Sequence, residues 1–117
     1  MIKVGECYYH QGVQHIVIAV SEREQKILVV SITSNNFDCA CKIEPDEIID
    51  NNGKMILTHT SYVGYRFAFE FENFKTFEQF RKIFNYRCNV SEELLKKIRD
   101  NARNSKYLQP RLRKYFE

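Results

Sequence analysis

The feature that most constrains this fold is a series of short apolar runs with no helix-length segment between them. The β-branched runs at residues 15–21 and 26–33 are separated only by the charged residues 22–25. Further strand-like runs cover residues 2–9, 39–43, 54–59 and 67–72. Parallel strands need crossover connections of about a dozen residues or more, which these gaps cannot supply. The first 72 residues therefore predict an antiparallel sheet of six strands that closes into a small barrel.

The spacing of the phenylalanines predicts where strands give way to helices. The rings at positions 67, 69 and 71 recur every second residue, and those at 74, 77, 80 and 84 follow helical spacing. Thr76 and Gln79 fit a capping box, which predicts a helix that ends near Asn85. We expect the helical phenylalanine face to pack in the core and not to stack on bases.

Two further helical segments are predicted in the C-terminal third. Ser91 precedes the acidic residues Glu92 and Glu93, which suit the first turn of a helix. Pro110 would break that helix but can begin a new one, so residues 106–117 are predicted to fold back onto the barrel. The prediction is one mainly β, α+β domain over residues 1–117, with a barrel in 1–72 and two to three short helices in 73–117.

Positive charge is concentrated at the C-terminal end. Residues 1–85 carry nine Lys or Arg and eleven Asp or Glu, whereas residues 86–117 carry nine and four. Such a segment favours a polyanion such as nucleic acid, although a solvated helix face explains it equally well. The candidate phosphate-binding residues are Lys96, Lys97, Arg99, Arg103, Arg111, Arg113 and Lys114.

The chain shows no secretory signal after Met1, and its apolar runs are too short to span a bilayer. We therefore expect a cytoplasmic protein with reduced cysteines and no membrane partner. Cys39 and Cys41 share one face of a predicted strand, but no second pair stands at ligand spacing, so we predict neither a metal site nor a cofactor. Glycine-rich phosphate loops and the strong hydrolase motifs are also absent from the sequence.

Polar residues at the predicted strand ends form the candidate catalytic set. Metal-independent RNA cleavage needs a base for the 2′-hydroxyl, an acid for the leaving oxygen and a cation for the phosphate. His15, His59 and Arg66 could fill these roles at one barrel rim, with Thr33 supplying a hydroxyl. The alternative is structural, with His59 and Ser61 at a bend and His15 half-buried.

The order of these motifs resembles the PemK/MazF-like growth-inhibitor proteins, the toxins of bacterial toxin–antitoxin pairs. The resemblance rests on residues 11–18 (QGVQHIVI), 29–34 (VVSITS), 59–66 (HTSYVGYR) and 105–108 (SKYL). It implies a small SH3-like β-barrel, often dimeric, that cuts single-stranded RNA without metal and pairs with an antitoxin. It also implies a groove hydroxyl at Thr33, whereas the expected arginine position falls on Gln14 next to His15.

Two functional hypotheses follow. In the first, the protein is an endoribonuclease in which His15 and His59 exchange protons, Thr33 and Ser34 hold the phosphate, and Arg66 stabilises charge; Ser61 adds a hydroxyl for RNA binding. In the second, the barrel binds RNA or a protein without cleaving, and the basic C-terminal residues supply the affinity. Assembly with a partner encoded nearby is a third reading that the sequence does not separate from the second.

Overall fold

The computed structural model describes residues 2–36 and 38–117. Phe37, within the predicted loop after the third strand, lies outside the described residues. The strands are β1 (Glu6–His10), β2 (Val13–Ser21), β3 (Lys26–Thr33), β4 (Lys42–Ile43), β5 (Ser61–Phe71) and β6 (Asn85–Asn89). The helices are α1 (Phe74–Ile83) and α2 (Glu92–Ala102), and short 3₁₀ helices cover Pro45–Glu47 and Pro110–Phe116.

The six strands form one curled, half-barrel sheet in the order β4-β5-β3-β2-β1-β6. Every neighbouring pair is antiparallel, which confirms the prediction made from the short connections. The fold is therefore the predicted α+β class, a small barrel-like sheet with C-terminal helices. Among the described residues, no helix combines the length and the apolar character needed to cross a membrane.

The sheet buries a separate apolar cluster on each face. On one face, Ile16 and Val30 pack with Leu95 and Ile98 of α2 and with Leu112 of the last segment. The Tyr65 hydroxyl donates to the Ile98 carbonyl at 2.7 Å, which ties β5 to α2. Residues 110–116 lie against this face, since Leu112 is fully buried in the cluster.

On the other face, α1 covers Val17 and Val29 with its buried Phe77. The predicted core role of the helical phenylalanine face is thus confirmed for Phe77, and Phe80 and Phe84 pack against this cluster while partly buried. A polar network reinforces the contact. The Tyr8 hydroxyl donates to Glu6 at 2.8 Å and accepts from Arg81 Nε at 2.9 Å. Burial, and then the Glu6 carboxylate, raise the pKa of Tyr8 to about 12.

Capping residues explain where the two α-helices begin. Ser91 accepts a hydrogen bond from the Leu94 N–H at 3.1 Å, as the sequence predicts. The predicted capping box at Thr76 is wrong, because α1 begins three residues earlier than a Thr76 cap requires. The Asn73 side chain accepts from the Thr76 N–H at 2.8 Å and is the N-cap instead.

Two of the predicted strands are lost or shortened in the structure, and one observed strand was not predicted. Residues 54–59 form no strand, and only an isolated bridge joins Met55 to Ile49. The sixth strand is instead β6, which follows α1 and completes one edge of the sheet. The fourth strand covers only Lys42–Ile43, and Cys39, with a positive φ of 57°, lies outside the strand region. Cys39 is exposed and Cys41 is buried, so these thiols do not share a strand face.

Candidate functional site

A polar groove lies at one end of the sheet, on the face that packs against α2. We call it the rim groove. It has a volume of about 440 Å³, and its polar lining comprises Gln14, Ser34, Thr58, His59, Ser61 and Arg87. Tyr9 of β1 and Ile32 of β3 also line it. Three sequence-predicted site residues, Ser34, His59 and Ser61, are therefore brought together here.

Gln14 anchors the floor of the rim groove. Its side chain is on the same face of β2 as the core residue Ile16, and it is only 6% exposed. The Cys7 thiol donates to Gln14 Oε1 across 3.7 Å. Gln14 is thus a fixed, neutral hydrogen-bonding group at the position where the family resemblance predicts an arginine.

The irregular segment before β5 carries the imidazole. Ile56 N–H donates to the Ile48 carbonyl at 3.1 Å, and the Thr60 hydroxyl donates to Glu44 at 3.0 Å, so the segment is held at both ends. Within it, Thr58 Oγ1 lies 3.0 Å from His59 Nδ1. That contact engages Nδ1 and leaves Nε2 for other partners.

Arg87 is the only arginine among the described residues that line the rim groove, and a β-bulge places it there. Cys7 pairs with Cys88 and Tyr8 pairs with Tyr86, so Arg87 is an extra residue between two strand pairs. Its guanidinium lies 5.5 Å from the centre of the Tyr9 ring, within cation–π range. The backbone N–H groups of Lys54 and Asn52 lower the pKa of nearby Asp50, and Arg87 adds a smaller effect in the same direction.

Sequence reasoning missed Arg87 because the predicted helix ends near Asn85 and no strand is predicted between it and Ser91. The signal for a strand was present, since Tyr86 and Cys88 alternate with polar residues between α1 and Ser91. Neither the spacing nor the composition shows the bulge that turns Arg87 toward the groove, because a bulge is a property of two paired strands.

His15 lies on the opposite face of the sheet from the rim groove. Neighbouring residues of a strand point to opposite faces, so Gln14 and His15 cannot both line one groove. His15 Nδ1 is 3.3 Å from Ser31 Oγ, and its ring contacts Phe80 and Phe84 edge-on. The structure therefore does not bring His15 and His59 together, and their predicted proton exchange has no support in the geometry.

The remaining predicted catalytic residues also lie outside the rim groove lining. Thr33 pairs with Tyr62, and its hydroxyl accepts from the Asn35 N–H at 3.2 Å. Arg66 extends from β5 over the rings of Phe67 and Tyr107, with guanidinium-to-centre distances of 5.3 and 5.7 Å.

Many of the predicted phosphate-binding cations have partners within the protein. Ion pairs join Lys96 to Asp100 at 2.6 Å, Lys97 to Glu47 at 2.9 Å and Arg111 to Glu70 at 3.5 Å. Arg99 donates to the Ile18 carbonyl, Arg113 donates to the Ser105 carbonyl, Lys114 lies over the Tyr115 ring, and Arg103 lines a separate surface pocket. Part of the positive charge of the C-terminal segment is thus balanced internally, and its role in RNA binding stays a prediction.

No protein-family model, curated protein or solved structure matches this chain. The PemK/MazF-like resemblance therefore stays a prediction that rests on the short motifs described above. Within residues 2–36 and 38–117, no three His, Cys, Asp or Glu side chains form a group that could hold a metal ion.

The environment of His15 predicts a pH-dependent stability. Burial, and then the neighbouring His10, lower the pKa of His15 below its ordinary value of 6.5. The unfolded chain then binds more protons than the folded protein just below this value, so stability falls as the pH drops through about 6.5. We expect His15→Gln to lose less stability than wild type between neutral and mildly acidic pH in urea unfolding.

The matched control is His59→Gln, because His59 is exposed and lies outside the sheet. That variant should retain the wild-type loss of stability on acidification. If His15→Gln and His59→Gln lost the same amount of stability on acidification, the pH dependence would not come from His15.

Proposed function

We propose that this protein is a PemK/MazF-like endoribonuclease that cleaves single-stranded RNA at the rim groove without a metal ion. The observation that carries the proposal is the presence of an imidazole, His59, and a guanidinium, Arg87, in one groove with several hydroxyl and amide groups. Phosphate-ester cleavage uses these groups for proton transfer and for stabilising negative charge.

Arg87 has the chemistry to stabilise the reacting phosphate. A guanidinium stays charged across the physiological pH range and can donate two parallel hydrogen bonds to phosphate oxygens. Because neutral Gln14 lines the same groove, Arg87 can provide the positive charge that the resemblance places at position 14. Ser34 offers a further hydroxyl to the same ligand, whereas the buried Ser61 hydroxyl donates to the His59 carbonyl at 3.2 Å and supports the segment that carries the imidazole.

His59 has the chemistry to accept the proton of the ribose 2′-hydroxyl through Nε2. The 2′ oxygen then forms a bond to the adjacent phosphorus, and the bond from phosphorus to the 5′ oxygen breaks. The 5′ oxygen takes a proton from water or from protonated His59 and leaves as a hydroxyl, so the products are a 2′,3′-cyclic phosphate and a 5′-hydroxyl. The Thr58 contact to Nδ1 orients the ring for this step.

A second function, RNA binding without cleavage, is favoured by one specific observation. Among the described residues, His59 is the only imidazole that lines the rim groove, because His15 faces the other side of the sheet. Efficient cleavage often uses separate groups as base and acid. A groove with one imidazole suits recognition of the phosphate backbone even where proton transfer is slow.

The Arg87 substitution tests the role of the rim groove. We expect Arg87→Gln to reduce cleavage of a long single-stranded RNA in EDTA by about a hundredfold, because a charge-stabilising donor is lost. Arg87→Lys keeps the positive charge and should retain part of the activity. Gel electrophoresis measures the rates, and fluorescence anisotropy with labelled RNA measures the affinity.

The outcomes separate the two functions. Wild-type cleavage that falls in Arg87→Gln supports the endoribonuclease, whereas tight RNA binding with intact RNA in every lane supports the binding function. Equal cleavage by wild type and Arg87→Gln would contradict the rim groove as the site. Wild type that neither binds nor cleaves RNA would overturn both functions.

A further inference from the structure

A second groove, on the sheet face that carries α1, exposes aromatic rings to solvent. We call it the aromatic groove. Its volume is about 330 Å³, and its lining includes Phe67, Phe69, Phe80, His15 and Ser31. Phe67 is 49% exposed and Phe69 is 57% exposed, so these two rings of β5 are not packed in the core. Exposed neighbouring rings of this kind mark a binding surface more often than a lone exposed ring does.

An irregularity in β5 creates this exposure. Val29 pairs with Phe69 and Ser31 pairs with Gly64, so residues 65–68 together lie opposite Val30. Tyr65 and Ala68 turn into the core, whereas Arg66 and Phe67 turn outward. The lack of a side chain at position 64 leaves room for the Phe67 ring, since a Cβ there would lie 3.1 Å from Phe67 Cδ2.

The aromatic groove combines flat apolar surfaces with polar groups at its edge. His15 Nδ1 and Ser31 Oγ are 3.3 Å apart, which leaves His15 Nε2 as a hydrogen-bonding group beside the rings. The Arg66 guanidinium lies 5.3 Å from the centre of the Phe67 ring. A nucleotide of a single strand matches these features, because its base stacks on aromatic rings while the base edge and the phosphate take hydrogen bonds.

The described lining of the aromatic groove carries no negative charge that would repel a nucleic acid. None of the described residues that line the aromatic groove is acidic. Glu70, which alternates with Phe69 and Phe71 along β5, points to the opposite face. There it accepts a hydrogen bond from the Tyr115 hydroxyl and pairs with Arg111.

We propose that the aromatic groove stacks one base of a single-stranded RNA whose scissile phosphate occupies the rim groove. This inference rests on the proposed function. The two grooves lie back to back across β2 and β3, since Gln14 lines one and His15 lines the other. An RNA strand connects them by passing over the end of β3, where Ser34 lines the rim groove and Thr33 lies beside Gly64.

A tryptophan reporter tests this placement directly. The chain contains no tryptophan, so Phe69→Trp introduces a single indole at an exposed position. We expect short single-stranded RNA to quench this indole fluorescence, because a stacked base quenches it on contact. Inorganic polyphosphate, which offers the charge but no base, should not quench it. We also expect Phe69→Ala to weaken RNA binding by about tenfold or more in anisotropy titrations.

Ile83→Ala is the matched control, since Ile83 is 64% exposed on α1 but does not line the aromatic groove. This control should bind RNA within twofold of wild type. The stacking site is overturned if RNA binds wild type and Phe69→Ala equally well and does not quench the indole of Phe69→Trp. The proposed RNA cleavage or binding at the rim groove would still stand. Absence of RNA binding overturns both proposals.

Sedimentation tests the alternative occupant, a second copy of the chain. The stacking site would be overturned by two results together. Wild type would form a concentration-dependent dimer that dissociates in Phe69→Ala, and RNA would leave the fluorescence of Phe69→Trp unchanged. The stacking site is supported if RNA quenches the fluorescence of Phe69→Trp and polyphosphate does not, and if the protein is a monomer or a dimer that Phe69→Ala leaves intact.

Discussion

Replacing His59 by alanine is expected to lower RNA cleavage by about 10² to 10⁴-fold, the usual contribution of a positioned acid–base group. His59 is exposed in the rim groove and contacts the Thr58 hydroxyl through Nδ1, so its removal should leave the fold intact. Cleavage in EDTA measures the rate, and circular dichroism checks the fold. Free imidazole added to the buffer should restore part of the activity of His59→Ala.

The control for this prediction removes an imidazole outside both grooves. His10 stacks on Phe84 at a centre-to-centre distance of 4.3 Å and lines neither groove. His10→Ala should therefore cleave RNA at a rate close to wild type. Full activity in His59→Ala would exclude His59 from the reaction and leave RNA binding as the better-supported function.

Truncation of Phe77 is expected to destabilise the protein by about 3–5 kcal/mol, the range for large aromatic residues cut back to alanine in a core. Phe77 is part of α1, and its side chain is fully buried against the sheet. It contacts Phe71 and Phe80 with ring centres 5.2 and 5.3 Å apart. The measurement is the urea midpoint of unfolding together with its m value.

Two comparison variants make the Phe77 prediction specific. Phe69→Ala removes the same ring from a site that is 57% exposed, and we expect a loss below about 1 kcal/mol. Phe77→Leu keeps most of the buried apolar volume, so it allows a measurement if Phe77→Ala is largely unfolded. Equal urea midpoints for the alanine variants at positions 69 and 77 would contradict the burial of Phe77.

The parts of the fold that local patterns specify were predicted from the sequence. Helix α2 begins where Ser91 offers a cap, and residues 110–116 form a helix where proline can only begin one. The strands β2 and β3 match their β-branched runs, because alternation and β propensity act on residues adjacent in the chain. The Asn73 cap was missed because Thr76 offers a competing cap three residues later.

The candidate site was only partly visible in the sequence. Ser34, His59 and Ser61 were singled out as polar residues at strand ends, and these residues do line one groove. The sequence also predicts His15 at this rim because it starts a strand, but its neighbour Gln14 is the residue that faces the groove. A shift of one residue along a strand reverses the face, and β2 is apolar on both faces, so its pattern does not show which of the two residues faces the groove.

Residue order along this chain therefore specified an antiparallel sheet with C-terminal helices, since short connections and periodicity depend on neighbours in the sequence. Strand pairing between distant segments determined which side chains meet. The bulge opposite Cys7 and Tyr8 turns Arg87 toward the rim groove, and the irregular pairing opposite Val30 exposes Phe67. Both irregularities belong to strand registers that bury apolar side chains on the two faces of one sheet. Such registers exist only after the strands have paired.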